Sequence, residues 1–231
     1  MIGILVQLAL SWLLAWWLAR KDLSILGLRP TKSRLTDFAL FFAVAAFFSA
    51  TEFLLKMWII DQRWHLNPNA TPQLILEGLW WNIKSVLFEE LIFRGVIFYL
   101  LIKKLGVSKA ILISSIAFGI YHWFSQDLWG QPIPMLFMFV ASGLMGAVYA
   151  YGYAKTYSLY VPIAIHLGWN SMRSVVFSGT SIGDQLLVVN KPLPEVNVSY
   201  PVFFLLLLFH MVGVILTCYW LLKKHRQEPA Q

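Results

Sequence analysis

Seven stretches of this chain are long and apolar enough to cross a lipid bilayer, and no other feature limits the possible folds as strongly. A helical span needs about 20 mainly apolar residues. The candidates run approximately from Met1 to Ala19, Thr36 to Ile60, Leu74 to Ile102, Ser108 to Trp129, Ile133 to Ala154, Tyr157 to Val176 and Pro201 to Leu222. In hydrocarbon every backbone polar group must be paired inside its own element, so such spans fold as helices. The expected fold class is therefore all-α, a polytopic membrane protein of about seven transmembrane helices. Composition agrees, since 13% charged residues against 59% hydrophobic ones are too few to coat a water-soluble domain of this size. The first stretch has no basic region before it and a basic cluster after it, so it reads as a retained span and not as a signal peptide.

The 18 Lys and Arg residues then give an orientation. With alternating loops, one side receives Arg20, Lys21, Arg29, Lys32, Arg34, Lys103, Lys104, Lys109, Lys155, Lys223, Lys224 and Arg226. The other receives Arg63, Arg173 and Lys191, while Lys56, Lys84 and Arg94 stay inside spans. The positive-inside rule puts the N-terminus outside and the C-terminus in the cytoplasm. Basic residues dispersed in this way between apolar runs are topology signals, so no nucleic acid partner is expected. The loops are short, the longest running from about Phe177 to Tyr200. The chain reads as one membrane domain over residues 1–231, with a catalytic core over about 74–178. The single cysteine, Cys218, cannot form an internal disulfide.

Ionisable groups inside a membrane cost about 2.5–3.5 kcal/mol each even on a lenient scale, so each needs a reason. They gather in the third span, in the run from Lys84 to Gly95. Glu90 and Arg94 are four apart and share a helix face, in the order that favours an ion pair. Glu89 sits about 100° around the helix and is not consumed by that pair. The fourth span places Phe118 and His122 on one face, and the sixth does the same for His166 and Asn170, with Pro162 available to kink that helix. At 1.5 Å per residue, Glu89, His122 and Asn170 all lie about 20 Å from the inner ends of their spans. Three helices bringing polar groups to one depth describe a buried, hydrated pocket. His210, with no polar companion at helical spacing, reads as a packing residue, and His65 and His225 fall outside the pocket.

The composition of that pocket narrows the chemistry. Neither His122 nor His166 is followed by the Glu of a His-Glu-x-x-His zinc site. No serine lies in a Gly-x-Ser-x-Gly turn, and Asp127 and Asp184 are not paired within spans. What remains is a carboxylate, two imidazoles and an amide, a set suited to hydrolysis. Glu89 would deprotonate a water held with help from His122, and His166 and Asn170 would donate to the oxyanion of a tetrahedral intermediate. Glu89, His122 and His166 could equally hold a divalent metal with an open water position. The reading leans towards no cofactor, with Zn2+ on those three residues as the alternative.

Glu89-Glu90-x-x-x-Arg94, Phe118-x-x-x-His122 and His166-x-x-x-Asn170, in this order, resemble the three motifs of the CPBP (CAAX protease and bacteriocin-processing) family, the Rce1-like or Abi intramembrane proteases. The resemblance covers about Lys84 to Ser171. It implies a membrane endopeptidase in which Glu89 activates water, His122, His166 and Asn170 assist, and Glu90 and Arg94 shape the site. The partners expected are the lipid bilayer and a membrane-bound peptide or protein substrate, whether a prenylated tail, a bacteriocin-like leader or a sorting signal. The expected location is a prokaryotic inner membrane. Two other readings use the same polar cluster, an ion- or proton-coupled membrane protein and a non-catalytic bacteriocin immunity protein.

Overall fold

The computed structural model describes residues 2–178 and 183–225. Met1, at the head of the first expected span, and Arg226, in the last basic cluster, lie outside the described residues. Eight helices account for most of the described chain. They are α1 (Ile2–Leu14), α2 (Lys32–Ile59), α3 (Pro72–Phe93), α4 (Val96–Leu105), α5 (Val107–Ser125), α6 (Pro132–Thr156), α7 (Tyr160–Ser171) and α8 (Tyr200–Lys224). A π-helical turn continues α1 through Ala15–Ala19 and another continues α7 through Met172–Val176. Five segments are long and apolar enough to cross a membrane: Ile2–Ala19, Lys32–Ile59, Val107–Ser125, Pro132–Thr156 and Tyr200–Lys224. This is the pattern of a mostly helical, polytopic membrane protein. Trp58, Ile133 and Phe204 stand exposed on these helices, a surface suited to lipid and not to water.

Two expected spans take a different form. The third, Leu74 to Ile102, is split into α3 and α4 at Arg94 and Gly95. Glycine is among the poorest helix formers, and the Arg94 side chain turns back to Glu90 and across to α6 at this point. The carbonyl of Phe93, left open where α3 ends, accepts a hydrogen bond of 2.9 Å from Ser114 Oγ. The sixth expected span becomes the 12-residue α7 plus its π turn. Because α7 starts at Tyr160, Pro162 falls in its first turn, where a missing N–H has no helical partner to lose. Pro162 therefore starts this helix and does not kink it.

The chain forms two compact units. The first comprises Met1–Phe38, Leu87–Ile163 and Cys218–Gln231. Its core is built from Ile25, Leu26, Val96, Phe98, Ala150, Tyr153 and Leu159, each at most 1% exposed. A 3-10 turn, Leu23–Leu26, is held into that core. Tyr153 Oη donates to the Ile25 carbonyl at 2.5 Å, the Leu159 amide to Leu26 at 3.0 Å, and Ser158 Oγ to Gly27 at 3.0 Å. Asp22 caps the turn, and the hydrogen bonds from Ser24 hold its carboxyl below the usual carboxylate range. Cations at helix ends lie over the protein's own rings: Arg20 over Trp16, Lys103 over Tyr99, Lys155 over Tyr151 and Lys224 over Trp220.

The second unit comprises Ala39–Val86 and Ala164–Thr217. The longest loop expected from the sequence, about Phe177 to Tyr200, contributes a short strand, β2 (Leu187–Val189), that pairs antiparallel with β1 (Trp64–Leu66). Asn67 Nδ2 secures the same segment by donating to the carbonyls of Asp184 and Gln185 at 3.0 and 2.9 Å. Phe53 stacks on Phe177, and Trp64 meets both rings edge to face.

Candidate active site

In the first unit the adjacent carboxylates have different surroundings. Glu90 is fully buried and Glu89 only half-buried. Glu90 Oε1 accepts from Arg94 Nη1 at 3.2 Å, and both side chains are 0% exposed. The backbone repeats the link, with the Arg94 amide donating to the Glu90 carbonyl at 2.8 Å. Arg94 Nη2 donates to the Gly146 carbonyl on α6 at 3.0 Å. Its guanidinium lies 4.2 Å from the ring centre of Phe118, 5.1 Å from that of Tyr149 and 5.7 Å from that of Phe93, so one buried cation is shared among a carboxylate, a carbonyl and three rings. A Cβ on Gly146 would come within 2.9 Å of both Arg94 Nη2 and Phe118 Cδ1. Only a glycine leaves room for this side chain to cross to α6.

Phe118 joins Arg94 to the imidazole. Its ring meets His122 edge to face at 4.6 Å, and Tyr121 meets the same imidazole at 5.5 Å. His122 Nδ1 is 2.8 Å from the Phe118 carbonyl. A carbonyl only accepts, so Nδ1 carries a proton, and in the neutral form of the ring the lone pair lies at Nε2. That tautomer suits a histidine that holds or deprotonates water, and it suits a metal ligand equally well. Among the described residues, no three His, Cys, Asp or Glu side chains gather as a metal-holding group.

His166 and Asn170 belong to the second unit, one turn apart on α7. His166 is buried, at 5% exposure, and Asn170 is half-buried. The π turn after them is tied back, since Ser174 Oγ donates to the Asn170 carbonyl and receives Asn82 Nδ2 at 3.0 Å. Such turns lie often beside functional groups. The structure thus groups Glu90, Arg94, Phe118 and His122 in one unit, beside Glu89, and pairs His166 with Asn170 in the other.

A second charged cluster escaped the sequence reading. Glu52, on α2 and only 7% exposed, accepts from Lys56 at 2.6 Å, pairs with Arg173, and has His210 Nε2 at 3.4 Å. His210 also stacks on Trp169 with ring centres 5.5 Å apart. The polar companion of His210 is therefore on another helix, where spacing along α8 cannot reveal it. Arg173, assigned to an outer loop from the sequence, lies in the π turn. One signal was available, because Glu52 and Lys56 stand four apart within an apolar span, as Glu90 and Arg94 do.

Residues 71–172 match the family model described as type II CAAX prenyl endopeptidase Rce1-like. Over this stretch, which is less than half of the chain, the sequence is similar to that family. The matched stretch holds all six residues singled out from the sequence, Glu89, Glu90, Arg94, His122, His166 and Asn170. A curated relative named "Putative membrane peptidase YdiL", from Bacillus subtilis (strain 168), is 35% identical over 102 residues. That alignment covers 44% of this chain and 36% of the relative, so the chain spans about a third of the length of the relative it matches. No solved structure matches the chain.

Proposed function

We propose that this protein is an intramembrane endopeptidase that hydrolyses a peptide bond of a membrane-associated substrate. In this reading Glu89 takes the proton of a water held with His122, and His166 and Asn170 donate hydrogen bonds to the oxyanion formed at the attacked carbonyl. The proton then passes to the leaving amine. Glu90 and Arg94 carry no step of the reaction and fix the end of α3. The observation that supports this most is the unlike setting of the two carboxylates. Glu90 is fully buried and paired with Arg94, which is itself held by the Gly146 carbonyl and the Phe118 ring, whereas the adjacent Glu89 is only half-buried. The Rce1-like match and the peptidase name of the relative point to the same class of reaction.

The mechanism is proposed without a metal, with Zn2+ on Glu89, His122 and His166 as its competitor. The purified, active protein is expected to carry no stoichiometric metal and to keep its activity in strong chelators. One bound metal per chain, lost in His122→Ala and His166→Ala, would overturn the glutamate mechanism and leave the protease assignment standing. The assignment itself is tested by incubating the protein in vesicles with a library of membrane peptides and mapping products by mass spectrometry. Cleavage by the wild type and none by Glu89→Gln is the expected result, and no cleavage by either sinks the proposal. The same library separates prenylated tails, leader peptides and sorting signals as substrates.

A further inference from the structure

We propose that Glu52 is a positioning residue that fixes the segment carrying His166 and Asn170, a role that rests on the reading of those two side chains as oxyanion donors. Helix α2 lies along that segment with one face. A Cβ added to Gly168 would come 2.4 Å from the Phe42 carbonyl, so the two backbones approach as closely as glycine permits. Seven residues further along α2, Ser49 Oγ donates to the Trp169 carbonyl at 2.9 Å. One turn beyond, the Glu52 carboxylate pairs with Arg173, and the Phe53 ring lies 5.8 Å from the same guanidinium. Phe42, Ser49, Glu52 and Phe53 share a helix face, and between them they grip residues 168–173, within which Asn170 lies.

The choice of residue at position 52 supports more than packing. A buried carboxylate must be compensated for its lost hydration, and an apolar side chain of similar volume commonly fills such a site at no loss of stability. What a carboxylate adds is direction. Glu52 faces groups from three separate elements: it accepts from Lys56 on its own helix and from Arg173 in the π turn, and it lies 3.4 Å from His210 Nε2 on α8. His210 in turn stacks on Trp169, next to Asn170. Arg173 is three residues after Asn170 and seven after His166, so the fixed guanidinium sets the rotation of the turn that bears them. Donors to an oxyanion act only when held within tenths of an ångström of the developing charge.

The test compares wild type with Glu52→Gln, which keeps the shape and removes the charge, and with Glu52→Asp, which keeps the charge and shortens the reach. Hydrogen exchange is followed over residues 164–176 in detergent micelles, with α5 and α6 as internal references. Steady-state kinetics use a library peptide that the wild type cleaves. In Glu52→Gln, exchange is expected to quicken over residues 164–176 and to stay unchanged in α5 and α6. The turnover number kcat should fall about tenfold to a hundredfold, the scale of a misplacement near 1 Å, with KM within about twofold. Glu52→Asp should recover part of both effects. Unchanged exchange over residues 164–176 overturns the proposal, as does a wild-type kcat in Glu52→Gln. So does a kcat that falls only in step with melting temperature while exchange quickens everywhere. A wild type that cleaves no library peptide defeats the protease reading, and the exchange measurement then decides by itself whether Glu52 anchors this segment.

Discussion

The neighbouring carboxylates Glu89, half-buried, and Glu90, fully buried, are expected to answer differently to substitution. Glu89→Gln should abolish cleavage and leave the melting temperature close to that of the wild type. Arg94→Ala should strip a buried carboxylate of its cation and cost about 3–5 kcal/mol of stability. Both are read by thermal melting in detergent alongside the cleavage assay, and equal losses of stability would mark the pair as one structural cluster. Gly146→Ala should act on the same lock from α6. Its added methyl group meets Arg94 Nη2 and Phe118 Cδ1 at 2.9 Å, and overpacking of this kind costs about 1–3 kcal/mol. The Glu90–Arg94 pair was legible in the sequence because both ends lie on one helix at a spacing of four. The Gly146 carbonyl, the ring faces around Arg94 and the Glu52–His210 pair were not. Each joins residues far apart in the chain, and periodicity reports only neighbours along one helix.

At the scale of elements, helix type was readable and helix ends were not. Apolar runs of about 20 residues led directly to α1, α2, α5, α6 and α8, whose hydropathy allows little else. The stretch from Leu74 to Ile102 also reads as one apolar helix, and a pattern count gives no reason to stop it at Phe93. What stops it is a side chain that leaves the helix axis for α6, together with a hydroxyl from α5 that takes up the open carbonyl. Helix α7 carries a further prediction. Gly168→Ala would put a methyl group 2.4 Å from a backbone oxygen of α2, and a backbone gives way less readily than a side-chain tip. Small residues at such crossings are what allow membrane helices to approach closely. Gly168→Ala should therefore lower the melting temperature and quicken exchange in both α7 and the middle of α2, whereas Gly143→Ala, whose methyl group would meet its nearest neighbour at an ordinary 3.5 Å, has no such clash to relieve.

For the whole molecule, the distribution of Lys and Arg leads to a topology that can be measured. Seven crossings with the C-terminus in the cytoplasm are proposed from the twelve-to-three distribution of basic residues. A reporter active only in the cytoplasm should give signal when fused after Lys224 and none when inserted at Gly183, and the reverse pattern would refute the seven-span arrangement. The rings beneath Arg20, Lys103, Lys155 and Lys224 add a consequence of their own. Aromatic side chains favour the headgroup layer, and these cations are fastened to them from within the protein. In the proposed topology these four cations fall on one side of the membrane, which would moor one edge of the first unit to one leaflet. A moored protein cannot ride up or down when acyl chains lengthen, so the surrounding lipid must deform to meet its opposite edge. Glu89 and His122 then keep a constant distance from the moored leaflet while their distance from the other surface grows with bilayer thickness. Under the proposed protease reading, lipid chain length would then control which bond of a spanning substrate reaches them.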